Sequence, residues 1–123
     1  MTLAKIISMV DEMKPNQYDS ETKTAWMSEV EGMVVEEILN RSEGNEIEFE
    51  GYDYDLDAEK TLLVPDRYAD LYRNYLYAKI DYANAEYERY NNSVTMFEAS
   101  YSTFAQHYRR THMPKQPAML PPT

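Results

Sequence analysis

The chain has no cysteine, only three glycines and only two histidines. Without cysteine it can form neither a disulfide nor a zinc site with thiolate ligands. The glycines lie far apart at positions 32, 44 and 51, so they cannot form a glycine-rich phosphate-binding loop. The histidines, His107 and His112, are five residues apart, which places them on different faces of a helix and argues against a metal-binding pair. We therefore predict no enzyme activity, no catalytic residue, no bound metal and no cofactor.

Long apolar runs are also missing. No stretch approaches the roughly 18 consecutive apolar residues of a membrane-spanning helix. The N-terminal sequence MTLAKIISMVDEM places acids directly after a short apolar patch and offers no small-residue cleavage site. We therefore expect neither a signal peptide nor a membrane partner.

Positive charge is scarce, and the acids are unevenly placed. The formal net charge is −10; residues 1–60 carry 16 acids and 5 bases, and residues 61–123 carry 6 acids and 7 bases. No acid follows Glu98, whereas Arg109, Arg110 and Lys115 do. An acidic body repels nucleic acid rather than gripping it. The basic C-terminal end could meet an acidic surface on a neighbouring copy, or the acids could serve only solubility.

Two helices are predicted in the N-terminal third. Thr2 is a plausible N-cap for a first helix over about residues 3–13, and Asp19 or Ser20 for a second. The sequence KPNQY separates the two, and Gly44 is a natural residue to end the second. The buried stripe of the second helix is expected to consist of Trp26, Val30, Met33, Val34 and Ile38.

Residues 44–64 have a different pattern, because EIEFEGYDYDLD alternates acids with apolar or aromatic residues. Such alternation is typical of a strand, and a bulge or turn at Gly51 would bring both halves onto a common face. A lone hairpin is barely stable in water, so we favour a loop in the isolated chain, with a short β-hairpin as the alternative. The acids of this stretch are Glu46, Glu48, Glu50, Asp53, Asp55, Asp57 and Glu59. We expect residues 46–59 to become ordered only in an assembly.

Three of these acids resemble the start of a calcium-binding EF-hand loop. Asp53, Asp55 and Asp57 have the spacing of its first three ligands. The glycine needed at the sixth position is Ala58, and the glutamate needed at the twelfth is Val64. The match thus fails at the sharp turn and at the strongest ligand, and we do not expect specific calcium binding.

The region from Pro65 to Met113 carries the strongest helical pattern. Ten apolar residues follow one another at steps of four and three: Leu76, Ile80, Ala83, Tyr87, Tyr90, Val94, Phe97, Tyr101, Phe104 and Tyr108. This spacing places all ten on one helical stripe. We predict one continuous helix from about Pro65 to about Thr111, of roughly 45–48 residues and about 70 Å. The alternative is two helices that fold back at residues 91–93, where Asn91, Asn92 and Ser93 disfavour a helix interior.

The first half of this predicted helix has a second apolar face, marked by Tyr68, Tyr75 and Tyr82 at seven-residue spacing. Helices 1 and 2 are the expected cover for that half, but they are too short to cover the rest. We therefore predict that the distal stripe, Phe97, Tyr101, Phe104 and Tyr108, is an interface between copies, together with Arg109 and Arg110.

Residues 1–113 are expected to form one helical domain, and residues 114–123 an extended tail that contains four of the six prolines. Met119 and Leu120 are apolar residues in this otherwise unstructured end, which suggests that they dock on a partner. The predicted fold class is all-α: a small helical bundle with two N-terminal helices, an acidic loop or short β-hairpin, and a long C-terminal helix.

The order of these segments resembles that of a known family. A short helix, KPNQY, a tryptophan-bearing helix, a long acidic loop, LLVPDRYADLY and a tyrosine-rich run ending in YNNSVTMFEASYSTFAQHYRRTHMP are similar to the head–tail connector (adaptor, or neck) proteins of tailed bacteriophages and of prophages of Gram-positive bacteria. The resemblance covers about Lys14 to Pro114 and includes no catalytic signature.

The resemblance implies a structural subunit of the virion neck, assembled in the host cytoplasm. Members of the family form homo-oligomeric rings of about twelve copies between the portal and the tail or stopper proteins, and they line the channel through which DNA passes without specific binding. Within such a ring the seven acids of residues 46–59 would face the channel or an adjoining ring. The alternatives are an acidic helical adaptor outside any virus and an acidic inhibitor that mimics DNA and binds a protein partner.

Overall fold

Capping residues begin the first two helices in the computed structural model, which describes residues 1–115. Thr2 Oγ1 accepts a hydrogen bond from the Lys5 N–H at 3.2 Å, and Asp19 Oδ1 accepts one from the Thr22 N–H at 2.8 Å. Five α-helices follow in chain order: α1 (Leu3–Met13), α2 (Ser20–Glu37), α3 (Tyr54–Asp57), α4 (Asp70–Ala83) and α5 (Tyr87–Thr111). The predicted all-α bundle with a long C-terminal helix is thus confirmed. The predictions for Met119 and Leu120 lie outside the described residues.

The two N-terminal helices match their predicted positions, but α2 ends earlier than Gly44. A short 3-10 turn, Leu39–Arg41, follows it. Of the predicted stripe, Val30, Val34 and Ile38 are buried, whereas Trp26 and Met33 are half-buried at its edges. Gly44 instead lies beyond the 3-10 turn with a φ of +83°, a conformation that glycine adopts at no steric cost.

The C-terminal region is a hairpin of two helices, so the prediction of one unbroken helix from Pro65 to Thr111 is wrong. The chain reverses between Ala83 and Tyr87, where Ala85 has a φ of +57°. The Glu86 N–H donates to the Asp81 carbonyl at 2.8 Å, and the Ala85 N–H donates to the Tyr82 carbonyl at 3.0 Å. This is the Schellman pattern, which satisfies the last carbonyls of α4 and ends the helix.

The reversal does not occur at residues 91–93 either, because they lie inside α5. The continuous phase of the stripe misled the prediction for a simple reason. The connection between the two helices, residues 84–86, is three residues long. Ala83 and Tyr87 are therefore still four positions apart, and Tyr87 and Tyr90 three, as they would be in one helix. Phase therefore persisted across a turn, and Ala83 and Tyr87 at its two ends are exposed.

Helix α4 lies at the centre of the fold and packs against α1, α2 and α5. Its buried residues are Leu71, Tyr72, Leu76, Ala78, Ile80 and Asp81. The second apolar face predicted for this region is thus covered within the chain at Tyr68 and Tyr75, in part by α5, whereas Tyr82 is exposed. Tyr75 on α4 packs edge-on against Phe97 on α5, with 5.1 Å between the ring centroids.

The distal stripe is covered within a single chain, which removes the premise on which its assignment to a subunit interface was based. Phe104 is only 1% exposed and packs against Tyr68, with 5.6 Å between the ring centroids. Phe97, Tyr101 and Tyr108 are half-buried against the same core. The folded-back hairpin provides the cover that one continuous helix would have needed from another copy.

A polar network fastens the linker between α1 and α2 to the turn of the hairpin. Lys14 Nζ lies 2.5 Å from the buried carboxylate of Asp81, which also accepts a hydrogen bond from Ser93 Oγ at 2.7 Å. The Tyr18 hydroxyl donates to Asn84 Oδ1 at 2.6 Å. These bonds pair a buried charge and hold the linker against the hairpin turn.

Candidate interaction surfaces

The acidic segment, residues 46–59, lies against α2 and presents its carboxylates outward. Ile47, Phe49, Tyr52 and Tyr54 pack against the core, while Glu46, Glu48, Glu50, Asp53 and Asp55 are exposed. The alternation in the sequence thus appears in the structure, without a second strand beside it. Gly51 has a φ of +114° and changes the phase, so that both halves share one inward face, as its position predicted.

Side chains of α2 and the following turn hold this segment by its backbone. The Asn40 side chain accepts from the Ile47 N–H at 2.8 Å and donates to the Ile47 carbonyl at 2.9 Å. Ser28 Oγ accepts from the Tyr52 N–H at 2.8 Å. The expectation that the segment becomes ordered only in an assembly is therefore wrong, because one chain provides both apolar contacts and hydrogen bonds.

Glu31 on α2 is a fully buried carboxylate that joins four parts of the fold. Its Oε1 accepts from the Tyr72 hydroxyl at 2.6 Å, and its Oε2 accepts from the Tyr52 hydroxyl at 2.7 Å and from the Leu63 N–H at 3.1 Å. The Tyr72 hydroxyl accepts in turn from the Val64 N–H at 3.0 Å. These donors satisfy a group that would be costly to bury alone.

Burial and contacts with carboxylates raise the pKa of four tyrosine hydroxyl groups. Burial, with the neighbouring Glu31 carboxylate, raises the pKa of Tyr72 far above its ordinary value of 10.0. Burial and the hydrogen bond to Glu31 likewise raise the pKa of Tyr52. The pKa of Tyr75 and that of Tyr101 are raised by burial and by hydrogen bonds to Glu29 and Glu37. These four phenols donate hydrogen bonds to carboxylates of α2, and the bonds connect α4, α5 and the acidic segment to that helix.

Sequence reasoning missed Glu31, although a signal was present. The buried residues of α2 include Met27, Val30, Val34 and Val35. Glu31 lies four residues after Met27 and four before Val35, so its helical position places it on the buried face. The predicted stripe was drawn through Trp26 and Met33 and therefore passed to one side of it.

Two acids of the segment, Asp53 and Asp57, also accept hydrogen bonds from the local backbone. Asp53 is the N-cap of α3 and accepts from the Asp55 N–H at 2.9 Å, while Asp57 accepts from the Asp53 N–H at 2.8 Å. Glu59 is exposed.

Among residues 1–115 there is no group of three or more His, Asp or Glu side chains arranged to hold a metal ion.

A cleft of about 470 Å³ opens beside the acidic segment, and we call it the strand cleft. One wall is formed by residues 47–52 and the other by Lys60, Thr61 and Leu63. Leu63 is 38% exposed, whereas its neighbours Leu62 and Val64 are buried. The volume falls within the range of about 300–1,000 Å³ that is typical of ligand sites.

The basic end of the molecule lies where the end of α5 meets the turn after α2. A groove of about 240 Å³ is lined by Arg41, Ser42, Arg109, His112 and Pro114. The backbone closes one side, because the Lys115 N–H donates to the Arg41 carbonyl at 2.8 Å. No side-chain carboxylate of residues 1–115 lies within 4.0 Å of the guanidinium groups of Arg41, Arg109 or Arg110. Two arginines beside an open groove are well suited to bind a carboxylate or another anion.

Comparisons with protein-family models, with curated proteins and with solved structures give no match to this chain. The helices of residues 1–115 include none with both the length and the apolar character of a membrane span.

Proposed function

We propose that the protein is a structural subunit of a virion neck ring, a head–tail connector that joins the portal to the tail and lines the DNA channel. The observation that carries the proposal is the separation of charge on a small helical bundle. Exposed acids line residues 46–55, whereas Arg41 and Arg109, which form no ion pair with a side chain of residues 1–115, line the groove at the end of α5. The similarity in segment order to connector proteins supports the same assignment.

Separated surfaces of opposite charge favour contacts between unlike faces of identical subunits. Such a heterologous contact repeats from copy to copy and closes into a ring when the rotation permits. Arg109 and Arg110, both exposed in the last turn of α5, remain candidates for this contact. Phe104 does not, because it is buried within the chain.

In a ring of about a dozen copies the acidic segments would form a negative collar. A negative wall repels phosphate, so DNA slides past it, whereas a basic wall would bind DNA through counterion release. The collar also repels itself, and bases on neighbouring subunits or on a portal or stopper protein would offset that repulsion.

The test is to localise the chain in particles. Antibodies against it should label the junction of head and tail in electron micrographs of tailed particles from cells that encode it. Deleting its coding sequence should leave DNA-filled heads and free tails, and expression of the intact chain should restore joined particles. Absence of the chain from purified particles, or particles that join without it, would rule out the proposal.

A DNA-mimic inhibitor is the competing function, and the exposed acids of residues 46–55 favour it. A mimic would bind the basic DNA-binding groove of a partner protein, and DNA would displace it. The basic end with Arg41 and Arg109 is of no use to such a mimic. Capture of one DNA-binding protein by the intact chain, with release on adding duplex DNA, would favour this function over the neck ring.

A further inference from the structure

The outward face of α5 carries almost no charge. Nine residues between positions 90 and 108 are exposed, and only Glu98 among them is charged. Glu98 lies at the side of the helix that faces α4, where it lines a cleft with Lys79. In α2, by contrast, four of the five exposed residues are glutamates. On a chain of net charge −10, the face of α5 is therefore a surface that a second acidic molecule can approach with little repulsion.

Seven exposed residues run along the centre of this face, and we call them the outer stripe of α5. They follow one another at steps of four, three, four, four, three and four, which keeps them on one side of a helix. The steps are the same when the stripe is counted from its other end, with Ala99 in the middle. On either side of Ala99, threonines lie four positions away, side-chain amides seven and opposite charges eleven. The outer stripe consists of Glu88, Asn92, Thr95, Ala99, Thr103, Gln106 and Arg110.

The middle of the outer stripe can be covered without leaving a buried donor unpaired. Thr95 Oγ1 donates to the Asn91 carbonyl at 3.0 Å, and Thr103 Oγ1 donates to the Ala99 carbonyl at 2.9 Å. The two hydroxyl donors are thus already used within α5, so covering these side chains creates no new unpaired donor. The side chains of Thr95, Ala99 and Thr103 are also short, which allows another helix to approach closely.

The two ends of the outer stripe carry charges that are free to meet a partner. Glu88 lies in the first turn of α5 and Arg110 in the last. Both are exposed, and neither forms an ion pair with a side chain of residues 1–115. The helix dipole alone favours an acid in the first turn and a base in the last. It does not account for the uncharged residues between them or for their equal distances from Ala99.

We propose that the outer stripe of α5 binds the same stripe of a second copy, with the two helices antiparallel and Ala99 opposite Ala99. Charge fixes the direction, because an antiparallel pair places Glu88 of each copy opposite Arg110 of the other, whereas a parallel pair would oppose like charges. Asn92 of each copy then lies opposite Gln106 of the other, and each amide offers both donors and an acceptor. Such a two-fold contact closes after two copies.

The contact is one face of one helix, so we expect a weak and reversible dimer. It concerns the free chain and does not rest on the proposed neck ring, which needs contacts between unlike faces. Analytical ultracentrifugation of the full-length chain over a range of concentrations should show an equilibrium between monomer and dimer.

The first test uses the absence of cysteine, because one introduced cysteine then reports a single contact. Ala99→Cys, oxidised at concentrations where the chain associates, should give a disulfide-linked dimer. Ala25→Cys is the matched control, since Ala25 is an exposed alanine of α2, and it should cross-link at least about tenfold more slowly. Asn92→Cys and Gln106→Cys should each cross-link poorly alone and about tenfold faster when the two variants are mixed.

The second test exchanges the charges at the ends of the outer stripe. Arg110→Glu should weaken association by about tenfold, because two attractive contacts become repulsive. Glu88→Arg should weaken it similarly, although it lowers the net negative charge; Glu36→Arg, with the same change of charge on α2, should not. The double variant Glu88→Arg with Arg110→Glu should restore association to within about twofold. Damage to the helix ends would add up in the double variant, whereas the charge contacts return.

A chain that stays monomeric at every concentration would overturn the proposal. Equal cross-linking of Ala99→Cys and Ala25→Cys would do so too, and so would self-linking of Asn92→Cys and of Gln106→Cys, which indicates parallel helices. Failure of the double charge variant to restore association has the same meaning. The expected dimer, in a chain that is absent from virion necks, would retain this inference and reject the proposed function. Neck labelling by a chain without the dimer would have the opposite meaning.

Discussion

Helices α4 and α5 pack against each other, yet they differ in how much of each is buried. Six residues of the 14-residue α4 are buried, whereas only Phe104 and Ala105 are buried in the 25 residues of α5. The difference follows from position, because α4 packs against α1, α2 and α5, whereas α5 packs mainly against α4. An outer helix covered on one face keeps a long surface available for a partner, and its stability depends on a few anchors.

The largest expected effect comes from the main anchor of α5. Replacing Phe104 by Ala should lower the free energy of unfolding by about 3–5 kcal/mol, because a fully buried aromatic side chain leaves a cavity. Met96→Ala is the matched control on the same helix, since Met96 is 59% exposed, and it should change stability by less than about 0.5 kcal/mol. Urea unfolding measures both. Equal, small effects would show that α5 does not pack on α4 in the isolated chain, and the stripe would again need a cover from another copy.

The second-largest effect tests the buried hydrogen bonds between α2 and α4. Glu31→Gln should cost about 1–3 kcal/mol, because its amide brings a donor to a place where two hydroxyl groups and an N–H already donate. Glu36→Gln, at an exposed position of the same helix, should stay within about 0.5 kcal/mol. Thermal and urea unfolding give both values. If the two substitutions have the same effect, the buried hydrogen bonds to Glu31 do not contribute to stability.

Alkaline pH should weaken the hydrogen bonds from tyrosine hydroxyl groups to the carboxylates of α2. Burial is the first cause that raises the pKa of Tyr52, Tyr72, Tyr75 and Tyr101 in the folded chain. Unfolded tyrosine ionises near pH 10, so these groups stabilise the fold fully below that pH, and their contribution is lost as the pH rises above it. The midpoint of urea unfolding should therefore fall from about pH 10 upward. A Tyr72→Phe variant should show a shallower fall, and an identical slope would contradict this explanation.

Much of the fold could be predicted from local signals. Thr2 and Asp19 are capping residues whose side chains bind the first turn, and the alternation around Gly51 follows from the geometry of an extended chain. The helical position of Glu31 places it on the buried face of α2, but no local signal predicts its donors, because Tyr52, Leu63 and Tyr72 are 21–41 residues away in the sequence. Burial of a carboxylate depends on donors that only the folded chain brings together.

The turn of the hairpin was missed for a different reason. Its sequence, Asn84–Ala85–Glu86, contains neither glycine nor proline, and a left-handed residue is seldom alanine. Asn91, Asn92 and Ser93 carry the stronger turn signal, but they lie on α5, where Asn91 and Asn92 are exposed and Ser93 binds Asp81. Tertiary packing therefore overrode intrinsic preference at both places.

The smallest expected effect locates this turn. Ala85→Gly should stabilise the chain by about 0.5–1 kcal/mol, because relief of a left-handed alanine, roughly 1–2 kcal/mol, exceeds the added freedom of the unfolded chain, roughly 0.4–1 kcal/mol. Asn92→Gly, inside α5, should instead destabilise it by about 0.3–0.5 kcal/mol. A reversal at residues 91–93 would invert the signs, since position 85 would then lie in a helix interior, where glycine in place of alanine costs about 1 kcal/mol. Urea midpoints of the two single variants therefore decide whether α4 and α5 are two helices joined at Ala85.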